Sequence, residues 1–228
     1  IILTFLITMD KINNLKFLAH GMSEIPEPLA EYAGLKRSAD ILPVMFKMVH
    51  AAKNANMDMF TEEELEKALH SVESKSINWE HSDEFIGYIK KAYLVKRDDK
   101  NTKIIVASDK SIKEEDNISH YLNHEEGEPS YIMALAYVWT HRKSLRDKSE
   151  KMKNRAKAGT LTWSMETFFK EHECEICNKV FADDSNNCEH LKTRFVNGTG
   201  RILRDLTFVG AGVTEDPADK QATNIAIG

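Results

Sequence analysis

The sequence predicts an α+β fold, and three observations lead there. Short strand-like segments recur along the chain. The helical segments between them do not alternate with them regularly, as they would in a parallel α/β protein. A chain of 228 residues, 42% hydrophobic and 29% charged, also has the make-up of a globular protein able to bury a substantial core.

Taken in order, residues 15–22 (LKFLAHGM) alternate weakly and form a first candidate strand. Residues 40–55 follow helical spacing: Ile41, Val44, Met45, Met48, Val49 and Ala52 fall on one face, and Pro43 is tolerable in a first turn. In TEEELEKALHSV, Thr61 and Glu64 have the spacing of a capping box, and Leu65, Leu69 and Val72 make an apolar stripe, so a helix starts there. Strands are expected at 85–95, 103–107 and 131–139, with an acidic helix-plus-loop excursion over 111–130. Residues 142–157, rich in Lys and Arg with Leu145 and Met152 as sparse apolar positions, read as a solvated helix stopped by Gly159. Strands over 160–169 and 201–209 flank the cysteine segment, and residues 210–228 read as a loose tail.

The net charge of −5 argues against a nucleic-acid surface. The three cysteines all lie between 174 and 188 and cannot pair fully, which points away from a disulfide framework and toward a reducing compartment. The opening IILTFLIT is too short to span a bilayer and lacks the basic start of a signal peptide. A cytoplasmic protein with no membrane partner is expected, with Met9 a candidate start and residues 1–8 a non-native or disordered lead.

On strand 160–169 a period of two puts Thr162, Ser164 and Glu166 on one face and Leu161, Trp163 and Met165 on the other. A serine on a polar strand face is ordinary. A nucleophilic one needs a base within hydrogen-bond reach, and nothing local supplies it. Of the nine histidines, His81 stands out: in SINWEHSDEFIGYI it follows an extended stretch, beside Glu80 and Asp83, as a group able to titrate near neutrality. The run Cys174-x2-Cys177-x10-Cys188-x-His190 offers three thiolates and an imidazole, the count for a closed tetrahedral zinc site. Four protein ligands leave no open position for water, so a structural zinc knuckle is expected and a catalytic one is not. The alternative is three reduced thiols on an oxidisable loop.

Read in order, NWEHSDEFIGYI, GTLTWSMETFF and LRDLTFVGAGVTEDPADKQA resemble the prohead (capsid maturation) proteases of tailed bacteriophages, distant relatives of the assemblin-type serine proteases of herpesviruses. The pieces are His81-Ser82 before Ile86-Gly87, Ser164-Met165-Glu166, and Asp205 to Val209 before Pro217-Ala218, spanning roughly residues 60–220. The resemblance implies a β-barrel-like, mostly antiparallel sheet wrapped by helices. It also implies one protease-like domain over 9–220, carrying the zinc knuckle 174–190 as an insertion. Ser164 would be the nucleophile and His81 its base. Asp205 leads as the third residue because the family pattern often carries an acid on the closing strand; Glu166 and His190 remain alternatives, though a His190 bound to metal is not free to orient His81. Substrates would be the scaffold, the major capsid protein and the protease itself, within the viral prohead in the host cytoplasm; homo-oligomers are possible.

Two other classes compete. CEICNKVF with NNCEHLK also looks like the start of an HNH-type nuclease, but no histidine follows His190, Asn197 stands alone, and the net acidity disfavours it. A non-catalytic capsid-assembly module that keeps the protease fold is the other.

Overall fold

The computed structural model describes residues 38–97, 102–106, 113–114 and 127–227. The candidate strand 15–22, residues 1–8 and most of the 111–130 excursion lie outside the described residues.

The first described element corrects an expectation. Residues 41–50 form not a helix but a strand, β1 (Ile41–His50), buried along nearly its whole length. Helical spacing matched there only because almost every position is apolar, and such a run equally suits a central strand buried on both faces. Pro43 is accommodated because the neighbour on one side pairs only with Val44, Met45 and Phe46.

After the short β2 (Asp58–Met59) comes α1 (Glu62–Ala68), extended by a 3-10 turn over Leu69–Ser71. Thr61 caps it by accepting from the Glu64 N–H at 3.3 Å, and Leu65, Leu69 and Val72 are buried, as the stripe predicts. There follow β3 (Ser76–Trp79), the long β4 (Phe85–Arg97), β5 (Thr102–Val106), β6 (Lys113–Glu114) and β7 (Tyr131–Trp139). α2 (Lys143–Lys157) buries Leu145, Ser149, Met152 and Ala156, and Gly159 ends it with φ 68°. The chain continues through β8 (Thr162–Phe168), β9 (Glu171–Cys174), β10 (Val180–Phe181), the short helices α3 (Glu189–Lys192) and α4 (Arg194–Asn197), β11 (Arg201–Arg204), β12 (Thr207–Thr214) and β13 (Asn224–Ile227).

Seven strands make a curled, mostly antiparallel half-barrel in the order β13-β1-β7-β4-β3-β12-β8, with β5 and β6 branching from β4. Only β3–β12 is parallel in it. The curl brings the two ends of the sheet together: Trp163 N–H donates to Ala222 O at 2.8 Å, and Asn224 N–H donates to Leu161 O at 3.2 Å. Inside, Phe46 of β1 stacks on Trp163 of β8, ring centroids 3.8 Å apart, a contact worth about 0.5–1.5 kcal/mol beyond its buried area. Among the described residues no helix is long and apolar enough to cross a membrane.

A second sheet, β10-β9-β11-β2, carries the cysteines. Two further expectations are corrected here. Residues 201–209 are not one strand: β11 belongs to the small sheet and β12 to the half-barrel. The chain turns between them at Asp205 (φ 52°), whose N–H donates to the buried Glu64 carboxylate at 2.8 Å. Of the expected loose tail 210–228, the described residues 210–227 are not loose. β12 runs on to Thr214, and β13 pairs with β1 because Ala226 and Ile227 supply apolar residues to the core.

Candidate functional site

β12 lies between β3 and β8, and its register fixes what meets across it. Gly212 faces Asn78 on one side and Ser164 on the other; Gly210 faces Ser76 and Glu166. The intervening Ala211 and Val213 point into the core, as Ile77 and Trp163 do, so Asn78, Ser164 and Glu166 share the outer face. A bulge between Phe208 and Gly210 puts both glycines on that face. β3 and β8, two strand spacings apart, are separated by roughly 10 Å. With no Cβ between them, their long side chains can still touch.

They do touch. Glu166 Oε1 accepts from the Asn78 side-chain amide at 2.6 Å and lies 2.9 Å from His81 Nδ1. A Cβ on Gly210 would stand 2.7 Å from Glu166 Oε2, and one on Gly212 would stand 3.1 Å from His81 Cε1 and 3.2 Å from its Nδ1. The imidazole therefore lies over Gly212, the residue directly opposite Ser164. An ionised carboxylate only accepts, so Nδ1 carries a ring proton and donates it to Glu166.

His81 reaches this place through a tight turn after β3. Glu80 and His81 both have left-handed backbones, φ 50° and 54°, at a cost of about 1–2 kcal/mol each for residues with a Cβ. The turn is held by Glu80 N–H to Val213 O (2.9 Å), by Ser82 N–H to Trp79 O (3.0 Å) and by Ser82 Oγ to the same oxygen. Arg155 of α2 braces it, 3.6 Å from Glu80 and donating to Thr214 O at 2.6 Å. His81 and Glu166 keep 39% and 31% of their side-chain surface exposed, so the face is open to a ligand.

Asp205, expected as the third member, is elsewhere. It is exposed in its turn, and its nearest charged partner is Lys170 at 3.7 Å. The expectation of one strand over 201–209 fails there, because the chain turns at Asp205. Glu166 occupies the position against His81 instead. Its place two residues beyond Ser164 on the same face was visible in the sequence. The alternation of buried residues with glycine in Gly210-Ala211-Gly212, which lets Glu166 reach the imidazole, was the signal that sequence reasoning missed, and with it Asn78.

The second cluster is local. Cys174 ends β9, Cys177 lies in the following turn, Cys188 caps α3, and His190 is in its first turn. Their four donor atoms all lie within 4.8 Å of one another, a group that can hold a metal such as zinc. The separations Cys177 Sγ–Cys188 Sγ 3.6 Å, Cys174 Sγ–His190 Nδ1 3.8 Å and Cys188 Sγ–His190 Nδ1 3.9 Å match the edges of a tetrahedron around zinc, about 3.7 Å for bonds of about 2.3 Å. Burial pushes the Cys188 thiol up, but the N–H of Leu191, the neighbouring thiols and the N–H of His190 outweigh it and bring it down to about 7. Burial raises the Cys174 thiol. Around the knuckle, the fully buried His172 meets Asn187 at 2.6 Å, and Arg201 joins Asp58 of β2 (2.7 Å) to Asp184 (2.9 Å). His190 is thus committed to this cluster and does not face His81.

No protein-family model, curated protein or solved structure gives a significant match to this chain.

Proposed function

We propose that the chain is a serine endopeptidase of the capsid-maturation type, with Ser164 as nucleophile, His81 as base and Glu166 as the residue that orients the base. One observation carries the reading: His81, held by Glu166 through Nδ1, lies over the glycine that faces Ser164 across the sheet. His81 Nε2 takes the proton as Ser164 Oγ bonds to the scissile carbonyl carbon. The imidazolium, stabilised by Glu166, returns that proton to the amine as the C–N bond breaks. Water, deprotonated by the same Nε2, then hydrolyses the acyl ester and restores the serine. Substrates in this reading are the scaffold, the major capsid protein and the chain itself, inside a prohead.

Zinc in this proposal is structural. Cys174, Cys177, Cys188 and His190 would hold it, and it would fix the β9–β10 turn to α3 without an open position for catalysis.

A fluorophosphonate probe should label wild-type protein covalently at Ser164, and Ser164→Ala should lose both labelling and self-cleavage while keeping its melting temperature. Labelling elsewhere, or self-cleavage that survives in Ser164→Ala, rejects the assignment. Nicking of DNA by zinc-loaded protein without any labelling would favour the nuclease instead.

A further inference from the structure

Asn78 is buried, 3% exposed, in the middle of the Ser164–His81–Glu166 face. Its amide donates to Glu166 Oε1, the same oxygen that accepts from His81. Since a carboxylate only accepts, the amide nitrogen must face Glu166 and Oδ1 must face away. That Oδ1 is buried without a hydrogen-bond partner among the described residues. It stands 2.8 Å from where a Cβ on Gly212 would be, in the row that ends at Ser164. An unpaired buried amide oxygen is unfavourable for folding, and a leucine of the same size would avoid it. Stability alone therefore does not account for an asparagine here.

We propose that Asn78 is the positioning residue of the His81–Glu166 pair, a role that rests on the peptidase reading above. Its N–H donates to the carboxylate oxygen that meets Nδ1 and so holds that oxygen against the imidazole. Other charges near the imidazole are engaged or peripheral: Glu80 faces Arg155 (3.6 Å) and Glu84 binds Lys148 (2.8 Å), both on α2, while Asp83 is exposed on the turn. Glu166 is the charge in contact with His81, and Asn78 governs where it sits.

Asn78→Asp keeps the shape, and because two carboxylates in this contact cannot both ionise, the pair holds one proton and an O–H donor to Glu166 remains. The downfield Nδ1–H resonance of His81, which reports its hydrogen bond to Glu166, is therefore kept in Asn78→Asp and lost in Asn78→Leu. Asn78→Leu removes donor and orphan acceptor together; it melts no lower than wild type yet captures the fluorophosphonate about tenfold more slowly. A merely structural amide would move melting temperature and leave both readouts alone. A His81 Nδ1–H resonance that survives in Asn78→Leu, or wild-type capture by Asn78→Leu, overturns the proposal. The NMR readout needs no catalysis: if wild-type protein never captures the probe, the peptidase reading falls, and the His81 Nδ1–H resonance still decides the role of Asn78.

Discussion

The donors of the cysteine cluster come from residues 174–190, a knuckle turn and the first turn of α3. Ser164, His81, Glu166 and Asn78 come instead from β8, β3 and the turn after it, with β12 between them. The first arrangement is local: a Cys-x-x-Cys turn brings two thiols together whatever the rest of the chain does. The second exists only because two strands distant in sequence flank a third whose outward residues are glycine. A metal knuckle is accordingly a modular feature, whereas the polar face depends on the register of three strands at once. The two regions should therefore fail in different ways.

The largest expected effect is on the local site. Cys177→Ser should lower stability by on the order of 3 kcal/mol, and a chelator should lower the melting temperature of wild type but not of the variant. Equal melting of wild type with and without chelator would remove the metal from the comparison. Because the polar face belongs to the other sheet, the folded variant should retain Ser164 labelling at temperatures well below its melting point.

Gly212→Val tests the opposite dependence. Its side chain would enter the space of Asn78 Oδ1 and the imidazole, 2.8 and 3.1 Å from the first added carbon. Displacing the imidazole in this way should slow probe capture about a hundredfold. Chelator sensitivity should be unchanged. Capture at the wild-type rate would show that the bare strip is not what lets the two strands communicate.

The smallest effect belongs to a third place, which touches neither site. His50, 1% exposed, lies 2.8 Å from Asp219 through Nδ1 and 3.3 Å from Glu128 through Nε2. Burial pushes its pKa down, but the hydrogen bonds to Asp219 and Glu128 outweigh burial and raise it above 6.5. Asp219 is pushed up by burial and brought below 3.8 chiefly by the bond to His50. A base whose folded pKa is raised contributes stability that is complete below its unfolded pKa and is lost as pH rises through the folded value. The carboxylate's share is lost only as pH falls through its own depressed value. Wild type should thus lose stability as pH rises from below 6.5 through the raised His50 value, a loss that His50→Gln does not show, read from urea midpoints. A parallel pH dependence in both proteins would show that the pair contributes nothing to holding the 215–223 segment on β1.

Several features were legible because they depend on neighbours in sequence. Thr61 caps α1, the stripe of Leu65, Leu69 and Val72 goes inward, Gly159 stops α2, and the period of two along β8 sends Trp163 into the core and Ser164 outward. The cysteine spacing marked out the cluster of three thiols and an imidazole for the same reason. What failed was any inference that had to cross a break in local order. β1 carries no periodicity because both its faces are covered. Asp205 left its expected row because Glu64, far off in sequence, captures its backbone N–H and turns the chain. Residues 210–214 and 224–227 have few large side chains, yet they are held as strand by partners on β3, β8 and β1.

The sequence by itself determined which residues were chemically equipped: one knuckle of sulfur and imidazole, a serine and a glutamate on one strand face, a histidine in a polar turn. Only the tertiary structure decided which of them meet. Strand register, shifted by one bulge and cleared by two glycines, is set by packing over the whole sheet. It joined His81 to Glu166 over the residue opposite Ser164, and left Asp205 in solvent.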